Sequence, residues 1–533
     1  MHIVVHMTHP GWGQDSQQRL WLRGAPIFEN TPLDVEAFVK RTAACSTAAQ
    51  WRDFAVRLEG FFAFVSLTPL GAAVGVDRVR SIPLFYAEHE GTLYLSDSAE
   101  WLRQQLQIKT LQPDARQEFL LTGFVSGNRT LLPSVRQVQA GEVVLIESAE
   151  ASWNYTPLRY YLFRSLPPVS LSEAEFDETL SQAVFECIER LTRWAAGRPI
   201  VVPLSGGADS RLIVTALRHL NYSPLLAFSY GARGSRDPKR SSQVAQALGV
   251  PWCYVEYTRR LWDAYWNTET RRRYYLWASN WSAMPHTQEW VAVQELRRMG
   301  FLPDDAILVP GHSADFVAGS HIPAIFFEPR AFTSAEVAAA IWDKHYSPPY
   351  RPSERTHYLK LIQNALAMEG ELSQSASVDA FEQWDWQERQ AKYIVNSVRL
   401  YEFFGYSWWL PLWDNPFVEL WQRAPLEQRF GRRRYLEFVR YFTRAYGNER
   451  LAQVPLVVPA RRRVSLPPFL RRVLYIHRRM AHLPEANNPC ALWQIGRGRQ
   501  INSFYHYGFM REAEQWLGEF AEIQHFGSPK ARA

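Results

Sequence analysis

Apolar positions in the first 150 residues come in short runs separated by turns. Phe61-Phe62-Ala63-Phe64-Val65 is one such run, and Ala72 to Val76 and Leu84 to Ala87 are two more. Glu90-Gly91-Thr92 reads as a hairpin turn before Leu93-Tyr94-Leu95, and Gly141-Glu142-Val143-Val144-Leu145-Ile146 as a further strand. Short strands with close turns predict a layered antiparallel domain over residues 1–155. Residues 151–172 are polar and contain Pro167-Pro168, the composition of a linker.

The pattern then changes. Its periodicity predicts a helix over 173–194, a strand over 200–204, a helix over 209–220 and a strand over 225–230. A helix over 241–248 and strands over 253–257 and 306–309 follow. Strands alternating with helices predict an α/β unit whose parallel sheet is covered on both faces. Beyond Gly311 the pattern is mostly helical.

One loop in this unit carries chemistry. The predicted strand ends at Val201-Val202-Pro203-Leu204, and Ser205-Gly206-Gly207-Ala208-Asp209-Ser210 leads into an amphipathic helix. Two glycines let the backbone approach a phosphate closely. Exposed N–H groups and the helix dipole favour negative charge at such a place, and Ser205 and Ser210 add hydroxyl donors. Asp209 is itself negative, which makes chemical sense in a phosphate site where it holds Mg²⁺. A glycine-rich turn with Asp or Ser as a helix cap is the plain structural alternative. The full string between strand and helix favours the anion site. It lacks the lysine of a Walker loop.

Composition narrows the class further. The 533 residues are 47% hydrophobic and 21% charged, as in a soluble globular protein of several domains. The formal charge of +6 is a weak pointer to an anionic ligand, with surface solubility the plainer explanation. Four cysteines lie far apart with no metal-type spacing and read as free thiols. No signal-peptide pattern opens the chain and no apolar run is long enough to span a bilayer, so the expected location is cytoplasmic.

The loop matches the SGGxDS string of the ATP-pyrophosphatase group, whose members cleave ATP between the α and β phosphates. Further segments, in the same order along the chain, resemble the asparagine synthetase-like family. Leu308-Val309-Pro310-Gly311-His312-Ser313-Ala314-Asp315-Phe316-Val317-Ala318-Gly319 is similar to its SGEGADELFGG, and Phe228-Ser229-Tyr230-Gly231 to its TFSIG. Leu410-Pro411-Leu412-Trp413-Asp414 is similar to its RxPFLD. Upstream, Leu58 to Phe64 resembles LxGxFAF, Val76 to Tyr86 resembles ARDRLGxKPLYY, and Gly123 to Gly141 resembles the end of the family's glutaminase domain.

The resemblance implies an Ntn-hydrolase-like antiparallel α+β sandwich over 1–155 and an α/β ATP-pyrophosphatase unit over 172–470; residues 471–533 match no part of the family and read as a helical tail. It also implies that Ser205, Gly206, Gly207, Asp209 and Ser210 hold the phosphates of ATP, that Asp209 and Asp315 hold Mg²⁺, and that Leu204, Phe228 and Gly311 line the adenosine. A carboxylate, small or attached to a polymer, would be adenylated with release of pyrophosphate. Ammonia or an amine would then displace AMP.

The sequence also departs from the family. The glutaminase nucleophile is an N-terminal cysteine, but position 2 is His2 and the nearest cysteine is Cys45. The RGPD and NGEIYN segments have no counterpart, so the first domain reads as a degenerate scaffold. His312 stands where the family has a Glu that assists the attacking nitrogen. Two readings stay open: an imidazole that takes the same proton, or a packing replacement that weakens the site. Phe316 replaces a second acid, which implies a more apolar site less suited to aspartate. In place of the family's phosphate-binding lysine stands Arg461-Arg462-Arg463, of which Arg462 is the candidate clamp.

The remaining basic features are weaker signals. Residues 470–480 form a basic amphipathic pattern that packs on the protein or rests against a membrane surface. Arg271-Arg272-Arg273 and Arg432-Arg433-Arg434 read as solvated or as contacts to an acidic substrate, not as a nucleic-acid module. The sequence thus predicts an ATP-dependent amide ligase without glutaminase activity. The rival is a non-catalytic nucleotide-binding scaffold of the same fold.

Overall fold

The computed structural model describes residues 2–150, 152–234, 236–346, 354–456 and 499–518. The first part of the chain is a sandwich of two sheets. The larger runs in the order Ser152–Arg159, Glu142–Ala149, Gly71–Val76, Leu58–Thr68, Leu20–Phe28 and Gly13–Gln14, with Thr31–Pro32 paired to Leu20–Phe28, and is antiparallel throughout. The smaller runs His2–His6, Thr92–Ser96, Phe85–His89, Arg136–Gln137, with one parallel pair at its His2–His6 edge.

Alternation decides which faces meet. Phe61, Ala63 and Val65 point one way and join Phe85, Ala87, Leu93 and Leu95 in the core between the sheets. Phe62 and Phe64 point the other way, under Phe38, Trp51 and Phe54 of the helices Val35–Thr42 and Ala48–Val56. The turn predicted at Glu90-Gly91 is present, with φ of 48° and 72°. The stretch read as the start of a linker is instead the strand Ser152–Arg159. Its polar side chains face solvent while its backbone completes the sheet beside Glu142–Ala149.

The second part is built on a parallel sheet ordered Trp252–Glu256, Leu225–Gly231, Ile200–Pro203, Ile307–Leu308, Ser407–Trp408. Ile200, Val201 and Val202 are wholly buried, as a central strand covered on both faces requires. The helix Glu173–Ala195 leads into it. A capping box of Ser172 and Glu175 starts that helix, and Ala196 and Gly197, both left-handed, stop it. The edge strand Ser407–Trp408 has no strand signal of its own, because two residues cannot display a period.

Charged pairs join the two parts. Arg190 on the helix before the sheet bonds Glu59 of the sandwich at 2.6 Å and Asp414 at 3.0 Å. Arg23 on Leu20–Phe28 reaches Glu402 at 2.5 Å. The buried Lys392 donates to the carbonyls of Val125 and Gly127 and to Glu388. The C-terminal helix Arg499–Trp516 lies back on Pro113–Thr122, where Phe509 stacks on Phe119 and Glu514 pairs with Arg116.

Candidate active site

At the C-terminal end of the parallel sheet the loop Ser205–Ser210 opens a cavity of about 430 Å³, the position where parallel sheets bind ligands. Three adjacent strands supply its walls. Pro203 ends the central strand, with Leu204, Ser205 and Gly207 to Ser210 after it; Phe228 to Tyr230 end its neighbour; and Pro310, Gly311, His312 and Asp315 follow Ile307–Leu308 on the other side. Arg432, Leu436, Asp237, Gln288 and Glu289 complete the lining.

The loop is held by its own hydroxyls. Ser210 Oγ accepts from the Ser205 N–H at 3.0 Å and lies 3.1 Å from Ser205 Oγ, which in turn accepts from the Gly207 N–H at 3.2 Å. The first-turn N–H groups of the helix Asp209–His219 have no intrahelical partner and lie at the same end of the cavity. Gly311 backs this turn, and a Cβ there would stand 2.8 Å from the Ser210 nitrogen. Both backbone groups of Leu204 are already engaged: its N–H donates to Phe228, and its carbonyl accepts from Ser229 and Ser241. Leu204 therefore meets the cavity with its side chain.

Asp209 and Asp315 face one another across this end. Burial, and then the charge of Asp315, push the Asp209 carboxyl up to about 7. Tyr435 donates to Asp209 Oδ1 at 2.8 Å, Ser320 donates to Asp315 at 3.1 Å, and Arg432 reaches Asp315 at 3.8 Å. Two facing carboxylates, with the nearest guanidinium at 3.8 Å from one of them, are an arrangement a divalent cation would relieve. Among the described residues no three His, Cys, Asp or Glu side chains converge on a metal position. The pair suits Mg²⁺, which takes one or two carboxylates and fills its other positions with phosphate oxygens and water.

His312 stands beside this pair. Its Nε2 lies 2.8 Å from Ser397 Oγ, and its ring is 6.5 Å from that of His286. Burial pushes the imidazole down to about 4, although Asp315 opposes the shift. It is therefore neutral near pH 7 and able to accept a proton.

Residues 175–452 match the family model for asparagine synthase. The chain belongs to the asparagine synthase family. Residues 43–161 match the model for a glutamine amidotransferase domain, so both domains of that family's architecture are present. Membership in the asparagine synthase family makes this chain an ATP-dependent amide-forming ligase at family level. No curated protein sequence matches it. Among solved structures, glutamine phosphoribosylpyrophosphate amidotransferase from B. subtilis, complexed with ADP and GMP, is similar over 46% of this chain and 73% of that one, at 11% identity and a TM-score of 0.21. A structure described as the allosteric regulatory enzyme of purine biosynthesis is similar over 58% of each chain, at 10% identity and a TM-score of 0.19. Both fits are too loose to bear on function.

Within this asparagine synthase-family site the structure brings Leu204, Ser205, Gly207, Asp209, Ser210, Phe228, Gly311, His312 and Asp315 to one cavity. Gly206 is in the loop but not among the lining residues. Arg462 lies outside the described residues, as does the basic segment 470–480. Phe316 corrects an expectation. It is wholly buried between Phe163 and Trp413, with ring centroids at 4.9 and 5.8 Å, and it takes no part in the cavity wall. Its replacement of an acid therefore changes the core and not the polarity of the site. The basic runs are corrected at one residue each: Arg271 is buried against Glu512 and Arg434 against Asp177, whereas Arg273 and Arg433 are exposed. Arg432 is the member that reaches the cavity.

Tyr435 and Glu289 are site residues that sequence reasoning missed, and it placed Arg432 only within a run read as solvated or as contacts to an acidic substrate. Tyr435 is one more apolar-face residue on the amphipathic helix Arg433–Tyr446, and Arg432 looks like part of a charge run. Glu289 stands just before the apolar helix Trp290–Arg298, where an acid reads as a cap, yet its side chain makes no cap bond.

Proposed function

We propose that this chain adenylates a carboxylate at the Asp209–Asp315 end of the cavity, releasing pyrophosphate, and then transfers ammonia or an amine to the acyl group with loss of AMP. The observation that carries the reading is the single cavity joining the Ser205–Ser210 loop, the paired carboxylates and His312. A bare carboxylate is a poor electrophile, and adenylation gives it a good leaving group. Mg²⁺ held by Asp209 and Asp315 would neutralise charge on the departing pyrophosphate. In this reading the loop and the helix N-terminus hold the phosphates. Arg432 supplies the planar cation that the family draws from a lysine. His312, neutral and ordered by Ser397, accepts the proton of the attacking nitrogen.

The same reading makes residues 1–155 a scaffold without glutaminase activity. Cys45, the only cysteine in that stretch, is half-buried, and burial raises its thiol above the ordinary range, the opposite of an activated thiolate. The nitrogen would then come from free ammonia or from an amine on the substrate. No helix among the described residues is long and apolar enough to cross a membrane.

The reading is tested by trapping the acyl-adenylate. The full chain is incubated with ATP, Mg²⁺, hydroxylamine and a panel of aspartate, uronic acids, their nucleotide sugars and short peptides. Hydroxamate formed from one carboxylate, and absent in Asp209→Ala, supports it. Bound ATP that is never turned over with any member of the panel favours a nucleotide-binding scaffold.

A further inference from the structure

One buried group in the cavity has no role in the chemistry above. Glu289 is only 7% exposed, yet it contributes to the cavity wall. Among the described residues it forms no ion pair with Lys, Arg or His. Its hydrogen-bond partners are two tyrosine hydroxyls, Tyr401 on the helix Arg399–Phe403 donating to Oε2 at 2.6 Å and Tyr230 at the end of Leu225–Gly231 donating to Oε1 at 3.4 Å. A carboxylate buried without a cation is unfavourable unless it takes up a proton. Burial here, only partly offset by the two hydroxyls, raises Glu289 to about 7.

Its position in the cavity is equally specific. Asp209, Asp315 and Arg432 gather around the loop and the segment after Ile307–Leu308. Glu289 is tied instead to Tyr230, on the strand that flanks the loop strand from the other side. Leu204, Phe228 and Pro310 give the lining its apolar surfaces. Apolar walls beside the buried carboxyl of Glu289, away from the phosphate-binding loop, have the character of a purine-base site.

We propose that Glu289 is the base-reading residue of this chain, taking adenine through a neutral carboxyl group that donates to one ring nitrogen and accepts from the exocyclic amine. The inference rests on the reading of the cavity as an ATP site. Adenine presents an amine donor beside a ring-nitrogen acceptor, which a carboxylic acid matches with one donor and one acceptor. Guanine presents a carbonyl acceptor beside an N–H donor, the reverse order along the same edge. The short 2.6 Å bond from Tyr401 makes Oε2 the accepting oxygen, and the long 3.4 Å contact from Tyr230 makes Oε1 the oxygen that can carry the proton, with the Tyr230 hydroxyl turned away.

The experiment is equilibrium binding of non-hydrolysable ATP and GTP analogues with Mg²⁺ to the full chain, in the wild type, Glu289→Gln and Glu289→Ala. Glutamine keeps one donor and one acceptor in the same shape, whereas alanine keeps neither. The wild type and Glu289→Gln are expected to prefer the ATP analogue. Glu289→Ala is expected to lose on the order of 10- to 100-fold in ATP affinity and most of its preference over GTP. Binding of Mg²⁺-pyrophosphate, which needs only the loop end, is expected to be unchanged in Glu289→Ala and so reports that the cavity is still folded. An unaltered ATP-to-GTP ratio in Glu289→Ala, with pyrophosphate still bound, overturns the assignment and leaves the ATP site standing. Failure of the wild type to bind either nucleotide overturns the ATP site and this assignment with it.

Discussion

Tyr435 Oη donates to Asp209 Oδ1 over 2.8 Å and thereby ties the phosphate loop to the helix that begins beside Arg432. The same hydroxyl opposes the shift that burial and Asp315 impose on Asp209. Removing it in Tyr435→Phe should cost about 1 kcal/mol of stability and weaken Mg²⁺-dependent ATP binding several-fold. Thermal unfolding and nucleotide titration at fixed pH measure the two effects. Unchanged Mg²⁺-dependent binding would show that the tie is structural only.

Gly311 should tolerate no side chain. A Cβ there meets the Ser210 nitrogen at 2.8 Å and Asp209 Cβ at 3.1 Å, atoms of the loop itself. Gly311→Ala is expected to cost about 1–3 kcal/mol through overpacking and to abolish nucleotide binding in protein that still folds. ATP affinity equal to wild type in the alanine variant would mean that the loop does not take the position seen here.

Much of this was legible in the sequence because the central strand and its loop carry local signals. Ile200 to Val202 are apolar on both faces, and the glycines stand between strand and helix. The Phe61–Val65 run and the Glu90-Gly91 turn were legible for the same reason. The rest depends on contacts between distant residues. Asp209 meets Tyr435 across 226 positions, and Glu289 meets Tyr401 across 112, with nothing local to mark either pair. Ser152–Arg159 reads as a linker because a strand with a solvated face is polar in sequence. Phe316 reads as a wall of the site because a motif gives order along the chain and not the direction of a side chain.

The joint between the domains should be sensitive to Arg190. Its guanidinium bonds Asp414, which is wholly buried and raised to about 6 by that burial, against the pull of Arg190. Arg190→Met leaves this carboxylate unpaired and should destabilise the chain by about 3–5 kcal/mol. Adding Asp414→Asn should recover part of the loss, because the stranded charge is gone. A double variant no more stable than Arg190→Met, in denaturant unfolding, would assign the effect to packing.

His345 makes a pH prediction. It is buried, neither ring nitrogen has a hydrogen-bond partner among the described residues, and burial pushes it down to about 3 although Asp385 opposes. The unfolded chain takes up a proton below about pH 6.5 that the folded chain refuses, so this contribution is complete above pH 6.5 and is lost as pH falls toward 3. Relative to His345→Leu, the wild type should lose about 2–3 kcal/mol between pH 6.5 and 4.5. Parallel stability curves for the two proteins over that range would contradict the buried neutral imidazole.

The most direct measurement of the central claim is which bond of ATP is broken. Nucleotide and phosphate products are separated after incubation of the full chain with ATP, Mg²⁺, ammonium and the carboxylate panel, beside Asp209→Ala. The account predicts AMP and pyrophosphate in equal amounts, dependent on one carboxylate and absent from Asp209→Ala. Carboxylate-dependent ADP and phosphate, or turnover undiminished in Asp209→Ala, would contradict it.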